Sequence, residues 1–464
     1  MEERIEEKIN QVCKKILGTY SGDLSMTNTP QWDSLKHIQL LTALEKEFSI
    51  ILRYKDTLQM TNVPAITVIV QQYCSQQGKS VQLVSDKTVL PHQQIGRSFL
   101  IEYQNIYELF CAQKNVSPDK EFLFFPDKQQ VFTYAQFGEQ FLKAAAVLNQ
   151  HLRHGDRLCL IIPTSSSFVT LYFAGLTLGL VIVPVNPDLS PPEIEFIIKD
   201  SRAKAVFFDP TLQQKVQAMN VQPGVKFYSS EEVLQERRES LESLPLVRIT
   251  DEAVIIYTSG TTGNPKGVVL THLNLLADAK AISEWFAFSP ETRTLCLLPL
   301  FHNNGQVVTL LSPLYAGGST VMVQAKASLM TFWHLVEKYV INWTSVMPSI
   351  LSILLSLPAE RRDNSIVGII CGGQPLTREV QQQFEDRFKV PIFEGYGLTE
   401  TTSFACFNNF SIEQRKKGSV GRALPVNKIT IRDEQDHELS PYQEGEICIR
   451  GLNVANGYFM LREK

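Results

Sequence analysis

The most informative segment of the chain reads Thr258-Ser259-Gly260-Thr261-Thr262-Gly263-Asn264-Pro265-Lys266-Gly267. It lies between two apolar runs, residues 253–257 and 268–270, which predict a strand on either side of a loop. Glycines allow a ligand close to the backbone, hydroxyl and N–H groups donate to phosphate oxygens, and Lys266 adds a positive charge. The order Gly-Lys-Ser/Thr of a Walker A loop is missing. The segment therefore predicts another kind of polyphosphate-binding loop, with a hairpin whose hydroxyls satisfy their own turn as the alternative.

Composition places the chain among ordinary globular proteins. Its 464 residues predict roughly two to four domains, with 44% hydrophobic and 20% charged residues. A net charge of −4 without a strongly basic stretch argues against nucleic acid as a partner. The eight cysteines are widely spaced and the N-terminus is charged, which predicts reduced thiols and a cytoplasmic location. The apolar residues 158–185 are interrupted by Pro163 and Gly179, so we expect no membrane span.

Three regions are predicted along the chain. Residues 1–78 have helical periodicity and predict an all-α four-helix bundle, and the polar residues 79–99 predict a linker. Residues 100–464 alternate β-branched runs with helical stretches, which predicts an α/β domain of layered parallel sheets with flanking helices. Its early strands are expected at residues 158–162, 181–185 and 205–208, and closely spaced strands at 428–432 and 445–450 predict a small β-barrel.

Further motifs follow the loop in a definite order. They read Pro299-Leu300-Phe301-His302, then Cys371-Gly372-Gly373-Gln374-Pro375-Leu376, then Glu394-Gly395-Tyr396-Gly397-Leu398-Thr399-Glu400, with residues 179–187 before and 445–458 after them. With the loop, this series resembles the adenylate-forming superfamily of acyl-CoA synthetases, luciferases and the adenylation domains of non-ribosomal peptide synthetases. The resemblance covers about residue 100 to the C-terminus. It implies that a carboxylate attacks the α-phosphate of ATP to give acyl-AMP and pyrophosphate, with Mg²⁺ as cofactor.

The resemblance also implies roles for single residues. Glu400 is expected to hold Mg²⁺, and Thr399 to contact the α-phosphate, as catalytic residues. The phosphate-binding residues are expected to be Thr258, Ser259, Gly260, Thr261, Thr262, Gly263 and Lys266. The adenine-binding residues are expected to be Gly372, Gly373, Gln374, Pro375, Glu394, Gly395, Tyr396 and Gly397. Taken singly, Tyr396 is also compatible with a half-buried aromatic residue, and Glu400 with a solvated carboxylate at a helix start.

The substrate class is inferred from the segment Phe301-His302-Asn303-Asn304. Relatives that activate amino acids usually have Phe-Asp here, and the Asp pairs with the substrate ammonium. Because this chain offers no carboxylate, an amino acid is disfavoured and a simple acyl or aryl acid is expected. By resemblance His302 and Asn303 contact that acid. A structural histidine is the alternative for His302.

The N-terminal region has a motif of its own, Trp32-Asp33-Ser34-Leu35. It resembles acyl and peptidyl carrier proteins, in which this serine bears 4'-phosphopantetheine added by a phosphopantetheinyl transferase. An exposed serine at a helix N-terminus suits a phosphodiester. An ordinary N-cap is the alternative, and Trp32 and the balanced charge of this region depart from most carriers. The expected function is thus transfer of the activated acid to a phosphopantetheine thiol, with Ser34 as one attachment site.

Two alternatives stay open at this point. One is a CoA ligase that uses free CoA, and the other is a nucleotide-binding or carrier scaffold without turnover. The family pattern continues with a Thr-Gly-Asp and a C-terminal lid that bears a catalytic lysine, whereas this sequence ends at Leu461-Arg462-Glu463-Lys464. Weak adenylation is therefore expected of this chain. Other carrier proteins or the modules of polyketide and peptide synthetases are the further partners expected.

Overall fold

The computed structural model divides the chain into two compact units, Met1–Glu102 and Tyr103–Lys464. The structure describes residues 2–18, 24–25, 29, 32, 40–41, 43–44, 47–48, 50, 60–75, 99–221, 223–235, 241, 243–258, 265–324, 328–358, 365–408 and 415–460.

The first unit contains two well-defined helices, Glu2–Leu17 and Val63–Ser75. Gly18 ends the first helix in the left-handed conformation that glycine favours, with φ at +75°. The apolar faces of both helices share one core with the buried Trp32. Ser34 and much of the helix expected after it lie outside the described residues, as do residues 79–98. The four-helix bundle, the carrier assignment and the linker therefore remain predictions.

The second unit contains the strands and most of the helices. The strands are β1 (Glu121–Phe125), β2 (Gln130–Thr133), β3 (Arg157–Ile161), β4 (Val181–Pro184), β5 (Ala205–Phe208), β6 (Lys226–Ser229), β7 (Glu252–Thr258), β8 (Lys266–Thr271), β9 (Arg293–Cys296), β10 (Ser319–Met322), β11 (Trp343–Val346), β12 (Gly368–Cys371), β13 (Ile392–Tyr396), β14 (Cys406–Phe407), β15 (Arg422–Ala423), β16 (Asn427–Arg432) and β17 (Glu446–Gly451). The α-helices are Ile106–Val116, Tyr134–His151, Ser166–Thr177, Pro191–Asp200, Gln213–Gln217, Ser230–Gln235, His272–Trp285, Asn303–Gln306, Ser312–Tyr315, Phe332–Tyr339, Pro348–Ser356 and Arg378–Phe388. Over the part of the chain that the structure describes, these helices are too short or too polar to cross a membrane.

One sheet has six strands in the order β6-β5-β3-β4-β7-β8. The four successive strand pairs β6-β5, β5-β3, β3-β4 and β4-β7 are parallel, as the alternation of strands and helices predicts. The last pair, β7 and β8, is antiparallel. Only a short loop joins these two strands, and a parallel connection needs a crossover of about a dozen residues or more. The expectation of parallel sheets is therefore correct for this sheet except at the edge that carries the loop.

The second sheet has nine strands in the order β15-β14-β13-β12-β11-β9-β10-β1-β2. The six strands from β13 to β1 are parallel, and antiparallel strands flank them at both edges. The carboxyl ends of β9, β11, β12 and β13 consequently lie along one edge of the sheet. Ligands of such α/β sheets bind in the crevice outside the carboxyl ends of the strands. Three of the motifs found in the sequence begin at or just after these ends.

The C-terminal strands β16 and β17 form a two-stranded antiparallel ribbon. Their positions agree with the strands expected at residues 428–432 and 445–450. The small β-barrel is not seen in the described residues, where β14 and β15 extend the nine-stranded sheet instead. Two strands are too few to close a barrel on their own.

Candidate active site

The predicted phosphate loop lies at the end of the β7–β8 hairpin. Thr258 pairs with Lys266 in the last register position before the loop, so the loop closes between these two residues. Both side chains are half-buried. Ser259, Gly260, Thr261, Thr262 and Gly263 lie outside the described residues, and their role in phosphate binding stays a prediction.

The first predicted adenine segment follows β12. Gly372 is tightly enclosed, because a Cβ atom there would lie 2.8 Å from the Gly395 carbonyl oxygen and 2.5 Å from the Phe404 ring. Gly373, Gln374 and Pro375 are exposed at the surface. Residues 373–375 are thus exposed at the edge of the sheet, and Gly372 stands where no larger side chain would fit.

The second predicted adenine segment lies on the neighbouring strand. Cys371 of β12 pairs with Glu394 of β13, so Gly395 and Tyr396 lie beside the first segment. Burial raises the pKa of Glu394, and a hydrogen bond from the Leu376 backbone partly opposes this shift. The structure therefore brings the two predicted adenine segments together.

Tyr396 is half-buried, and its carbonyl oxygen accepts a hydrogen bond from the Ala405 N–H at 2.9 Å. Gly397 follows it in a crowded turn. A Cβ atom at Gly397 would come within 1.9 Å of the Ser403 carbonyl oxygen, a backbone atom that cannot rotate away. Only glycine fits there, because the chain folds back on itself between residues 397 and 403.

Thr399 and Glu400 lie in a short 3₁₀-helix, Thr399–Thr401. The Tyr458 hydroxyl donates a hydrogen bond to Glu400 Oε1 at 2.7 Å. The Lys266 ammonium nitrogen lies 5.4 Å from the centre of the same tyrosine ring. Tyr458 therefore contacts both the predicted metal ligand and the predicted phosphate-loop lysine.

Of the two residues predicted to contact the acid, Asn303 contacts the turn at residues 397–403 and His302 precedes it in the chain. His302 precedes the helix Asn303–Gln306, and its surroundings lower its pKa because the protonated ring would lose solvation. Asn303 Nδ2 donates to the Thr402 carbonyl oxygen, while Asn303 Oδ1 accepts from the Asn304 N–H at 3.1 Å. Both ends of the Asn303 amide are thus used within the protein. A π-helical segment, Val307–Leu311, follows, and such segments are frequent at functional sites.

A buried polar cluster that contacts residues 401–404 was not predicted from the sequence. Asp278 is fully buried and accepts from Ser403 Oγ at 2.5 Å and from Asn453 Nδ2 at 3.0 Å. Loss of solvation raises the pKa of Asp278 to about 7. Asn453 also donates to the carbonyl oxygens of Thr401 and Phe404. A carboxylate within the otherwise largely apolar helix His272–Trp285 was the available sequence signal.

Glu400 would be a single protein ligand for Mg²⁺. In the described part of the chain, no group of three or more His, Cys, Asp or Glu side chains is arranged to hold a metal ion. A magnesium ion at Glu400 would therefore take one protein carboxylate and complete its shell with nucleotide oxygens and water. This is how Mg²⁺ is usually bound with nucleotides.

Comparison with known proteins identifies the family. The family described as AMP-binding enzyme matches residues 110–459. The chain belongs to this family. A sulfoacetate–CoA ligase of Cupriavidus necator is 30% identical over 370 residues, which cover 77% of this chain and 72% of that protein. An oxalate–CoA ligase of Arabidopsis thaliana is 30% identical over 361 residues, covering 72% of this chain and 70% of that protein.

Solved structures of AMP-binding enzymes match the fold as well. The N-terminal domain of FACL13 from Mycobacterium tuberculosis superposes with a TM-score of 0.71 at 26% identity, covering 77% of this chain and 92% of that one. The o-succinylbenzoate CoA synthetase MenE of Bacillus subtilis, in complex with ATP and a magnesium ion, gives a TM-score of 0.69 at 28% identity and covers 76% and 72% of the two chains.

The comparisons confirm the adenylate-forming α/β fold and the ligase class that the sequence predicts for this AMP-binding enzyme. The curated relatives named here are CoA ligases. The chain spans about 60 to 72% of the length of the first relatives it matches. The family match begins at residue 110 and so does not extend to Ser34.

Proposed function

We propose that the second unit activates a carboxylic acid with Mg²⁺ and ATP, giving an acyl-AMP and pyrophosphate, and that a thiol then accepts the acyl group. The observation that carries this proposal is the contact of Tyr458 with both Glu400 and Lys266. It joins the phosphate-loop strand to the carboxylate predicted to hold a nucleotide-bound metal ion. When bound, Mg²⁺ would neutralise charge that develops on the phosphoryl oxygens.

The nucleotide is assigned to the edge of the nine-stranded sheet. Residues 372–375 and Tyr396 lie side by side at the ends of β12 and β13, where a flat base fits against backbone and ring. The Oε2 atom of Glu394 is buried without a hydrogen-bond partner among the described residues, and it offers an acceptor to a polar ligand. Lys266 and Thr258 would face the phosphates from the hairpin.

We assign the substrate to the non-amino carboxylic acids, acyl or aryl. Residues 299–306 contain no Asp or Glu to pair with a substrate ammonium group. A buried ammonium without a partner would be costly. His302, whose pKa is lowered by loss of solvation, favours the neutral ring that an uncharged acyl or aryl group would contact. Asn303 would help to shape the acid site through its hydrogen bond to the Thr402 carbonyl oxygen.

Free CoA is the acceptor that the relatives support, since the matched ligases are named for CoA. A phosphopantetheine arm on Ser34 is the second candidate. It is favoured by the motif Asp33-Ser34-Leu35 in a helical unit with its own core, in which Trp32 is buried. The N-terminal unit would then be a carrier domain, and a phosphopantetheinyl transferase would be a partner.

The ligase proposal is tested by ATP–pyrophosphate exchange with panels of fatty, short-chain, aryl and amino acids. We expect exchange with one class of non-amino acid. Glu400→Gln should lower it by about 100-fold, because the metal would lose its protein ligand. Glu434→Gln, an exposed residue of the β16–β17 turn, is the matched control and should leave exchange unchanged.

Other outcomes separate the alternatives. Exchange with amino acids alone would contradict the substrate assignment. Binding of ATP without exchange for any acid would favour the nucleotide-binding scaffold. A folded chain that neither binds ATP nor catalyses exchange would contradict the proposed function as a whole.

The choice of acceptor needs a separate measurement. Incubation with a phosphopantetheinyl transferase and CoA should add one prosthetic group, visible by intact mass, and Ser34→Ala should abolish it. Thioester formation on free CoA by the unmodified chain would instead support the CoA ligase. If the chain takes up no prosthetic group, or Ser34→Ala still does, the carrier assignment is wrong.

A further inference from the structure

The segment after β17, residues 452–459, contacts residues 399–402 repeatedly; we call the first the anchoring segment and the second the Glu400 turn. Three of the contacts involve the turn's backbone or Thr402. They are Ala455 N to Glu400 O at 2.8 Å, Asn453 Nδ2 to Thr401 O at 3.2 Å, and Thr402 Oγ1 to Asn453 O at 2.6 Å. The fourth, from the Tyr458 hydroxyl, reaches the Glu400 carboxylate itself.

The anchoring segment is itself fixed on the outer side of β8. Val269 N donates to Gly457 O at 3.0 Å, and Phe459 N donates to Gly267 O at 2.7 Å. Tyr458 lies between these two bonds and forms an antiparallel bridge with Val268. Its backbone is therefore held by the hairpin that carries the phosphate loop, while its hydroxyl points to the Glu400 turn.

A free glutamate side chain samples many rotamers, and ordering it costs conformational entropy. A phenol that donates to an ionised carboxylate forms a charge-assisted hydrogen bond, which can offset that cost before the ligand arrives. Tyr458 uses one carboxylate oxygen, Oε1, so Oε2 is available to a metal ion.

From this geometry we propose that Tyr458 is a positioning residue that holds the Glu400 carboxylate in the orientation in which it binds the magnesium ion of Mg·ATP. The inference rests on the proposed function, because it concerns the same nucleotide site. Tyr458 acts through Glu400. It also keeps Glu400 close to Lys266, because the Lys266 ammonium lies over the Tyr458 ring.

The variant Tyr458→Phe removes the hydroxyl and keeps the ring over Lys266. We expect the Mg²⁺ concentration for half-maximal pyrophosphate exchange to rise about tenfold, as for other residues that orient a metal ligand, with little change in the rate at saturating Mg²⁺. Binding of Mn²⁺·ATP, followed by water-proton relaxation, should weaken by a similar factor without any need for turnover. Tyr442→Phe, whose ring is fully exposed, is the matched control and should change neither quantity.

A double-mutant cycle distinguishes positioning from a separate role. If Tyr458 acts through Glu400, adding Tyr458→Phe to Glu400→Gln should weaken Mn²⁺·ATP binding no further. Tyr458→Leu, which also removes the ring, should weaken ATP binding beyond Tyr458→Phe if the ring helps to place Lys266. Thermal denaturation establishes that each variant is folded.

Two results would overturn the inference. They are wild-type Mn²⁺·ATP affinity in a folded Tyr458→Phe variant, and losses that add fully in the double mutant. Failure of the proposed function looks different, because the wild-type chain would then catalyse no pyrophosphate exchange with any acid, whether or not it binds Mn²⁺·ATP.

Discussion

Two buried carboxylates in the second unit, Asp278 and Glu385, each join parts of the chain that are far apart in sequence, but their partners differ in charge. Asp278 accepts hydrogen bonds from the neutral side chains of Ser403 and Asn453. Glu385 is flanked by the cations Arg415 and Lys417. Burial opposes ionisation at both, more strongly at the fully buried Asp278, and only Glu385 has cations beside it that favour the charged form.

The pKa values of the two groups move in opposite directions. Loss of solvation raises the pKa of Asp278 to about 7, and its neutral donors only partly oppose the shift. Burial would also raise the pKa of Glu385, but the Ile392 N–H, Arg415 and Lys417 outweigh it, and the net pKa is lowered. One cluster thus changes its charge near neutral pH, whereas the other stays ionised there. We call Asp278 with Ser403 and Asn453 the neutral-donor cluster, and this cluster supports the candidate active site.

The largest effect is expected from Glu385→Ala. Arg415 has only 6% of its side chain exposed and would remain buried without a carboxylate. Removing one partner of a buried ion pair lowers the free energy of unfolding by about 4 kcal/mol. Urea denaturation followed by tryptophan fluorescence measures the loss. Lys417→Ala is the control and should cost less than about 1 kcal/mol, because Lys417 is more exposed. Equal losses would show that Arg415 does not depend on Glu385.

The second prediction uses pH to separate the two clusters. A carboxyl group whose pKa is raised on folding stabilises the protein below its unfolded pKa, and this stability is lost as pH rises through the folded pKa. With Asp278 near pKa 7, this group alone lowers the unfolding free energy by about 1.4 kcal/mol per unit between about pH 5 and pH 7. His272, whose pKa burial lowers from 6.5 to about 4, contributes a rise of similar size over the lower part of that range, so the effect of Asp278 is measured as a difference between variants. Glu385, whose pKa is lowered, contributes no slope there, because its stabilisation is lost only as pH falls through its folded pKa.

Asp278→Asn is the matching variant. It keeps a polar side chain of the same size but cannot titrate, so the slope between about pH 5 and pH 7 should be more positive than in the wild type by about 1.4 kcal/mol per unit. Urea denaturation across this pH range measures both proteins. If Asp278→Asn keeps the wild-type slope, Asp278 does not titrate in this range and its raised pKa is contradicted.

Much of the candidate site could be predicted from short motifs because of how parallel sheets are built. Residues 372–375 and Tyr396 lie at the carboxyl ends of adjacent parallel strands, so motifs separated in sequence converge without further information. The strand β5, Ala205–Phe208, lies where the run of apolar residues predicts it. An apolar run bounded by polar residues is a local property that needs no knowledge of its neighbours.

The supporting contacts could not be predicted, since they join residues of unremarkable type across long separations. Asp278 and Asn453 are 175 positions apart, and Glu400 and Tyr458 are 58 apart. Neither pair shares a periodic pattern, and the one sequence signal, a carboxylate among the apolar residues around Asp278, does not identify its partner. The antiparallel pairing of β7 with β8 depends on loop length, which the alternating pattern does not express.

The smallest effect is expected at Thr402, which belongs to the neutral-donor cluster through its bond to Asn453. Its φ of +64° and the hydrogen bond from Ser403 N to Thr401 O at 2.8 Å describe a γ-turn, a strained conformation for a β-branched residue. Thr402→Val keeps the strain and loses the hydroxyl, so unfolding free energy should fall by about 1 to 2 kcal/mol.

Thr402→Gly should be almost neutral in the same urea measurement, because relief of the strain, worth about 1 kcal/mol or more, offsets the lost hydrogen bond. The strain is therefore held by the hydroxyl that joins the Glu400 turn to the anchoring segment. If glycine destabilises as much as valine, the hydroxyl alone matters and the turn stores no strain. If valine is neutral, the Asn453 carbonyl finds another donor and the cluster tolerates the loss.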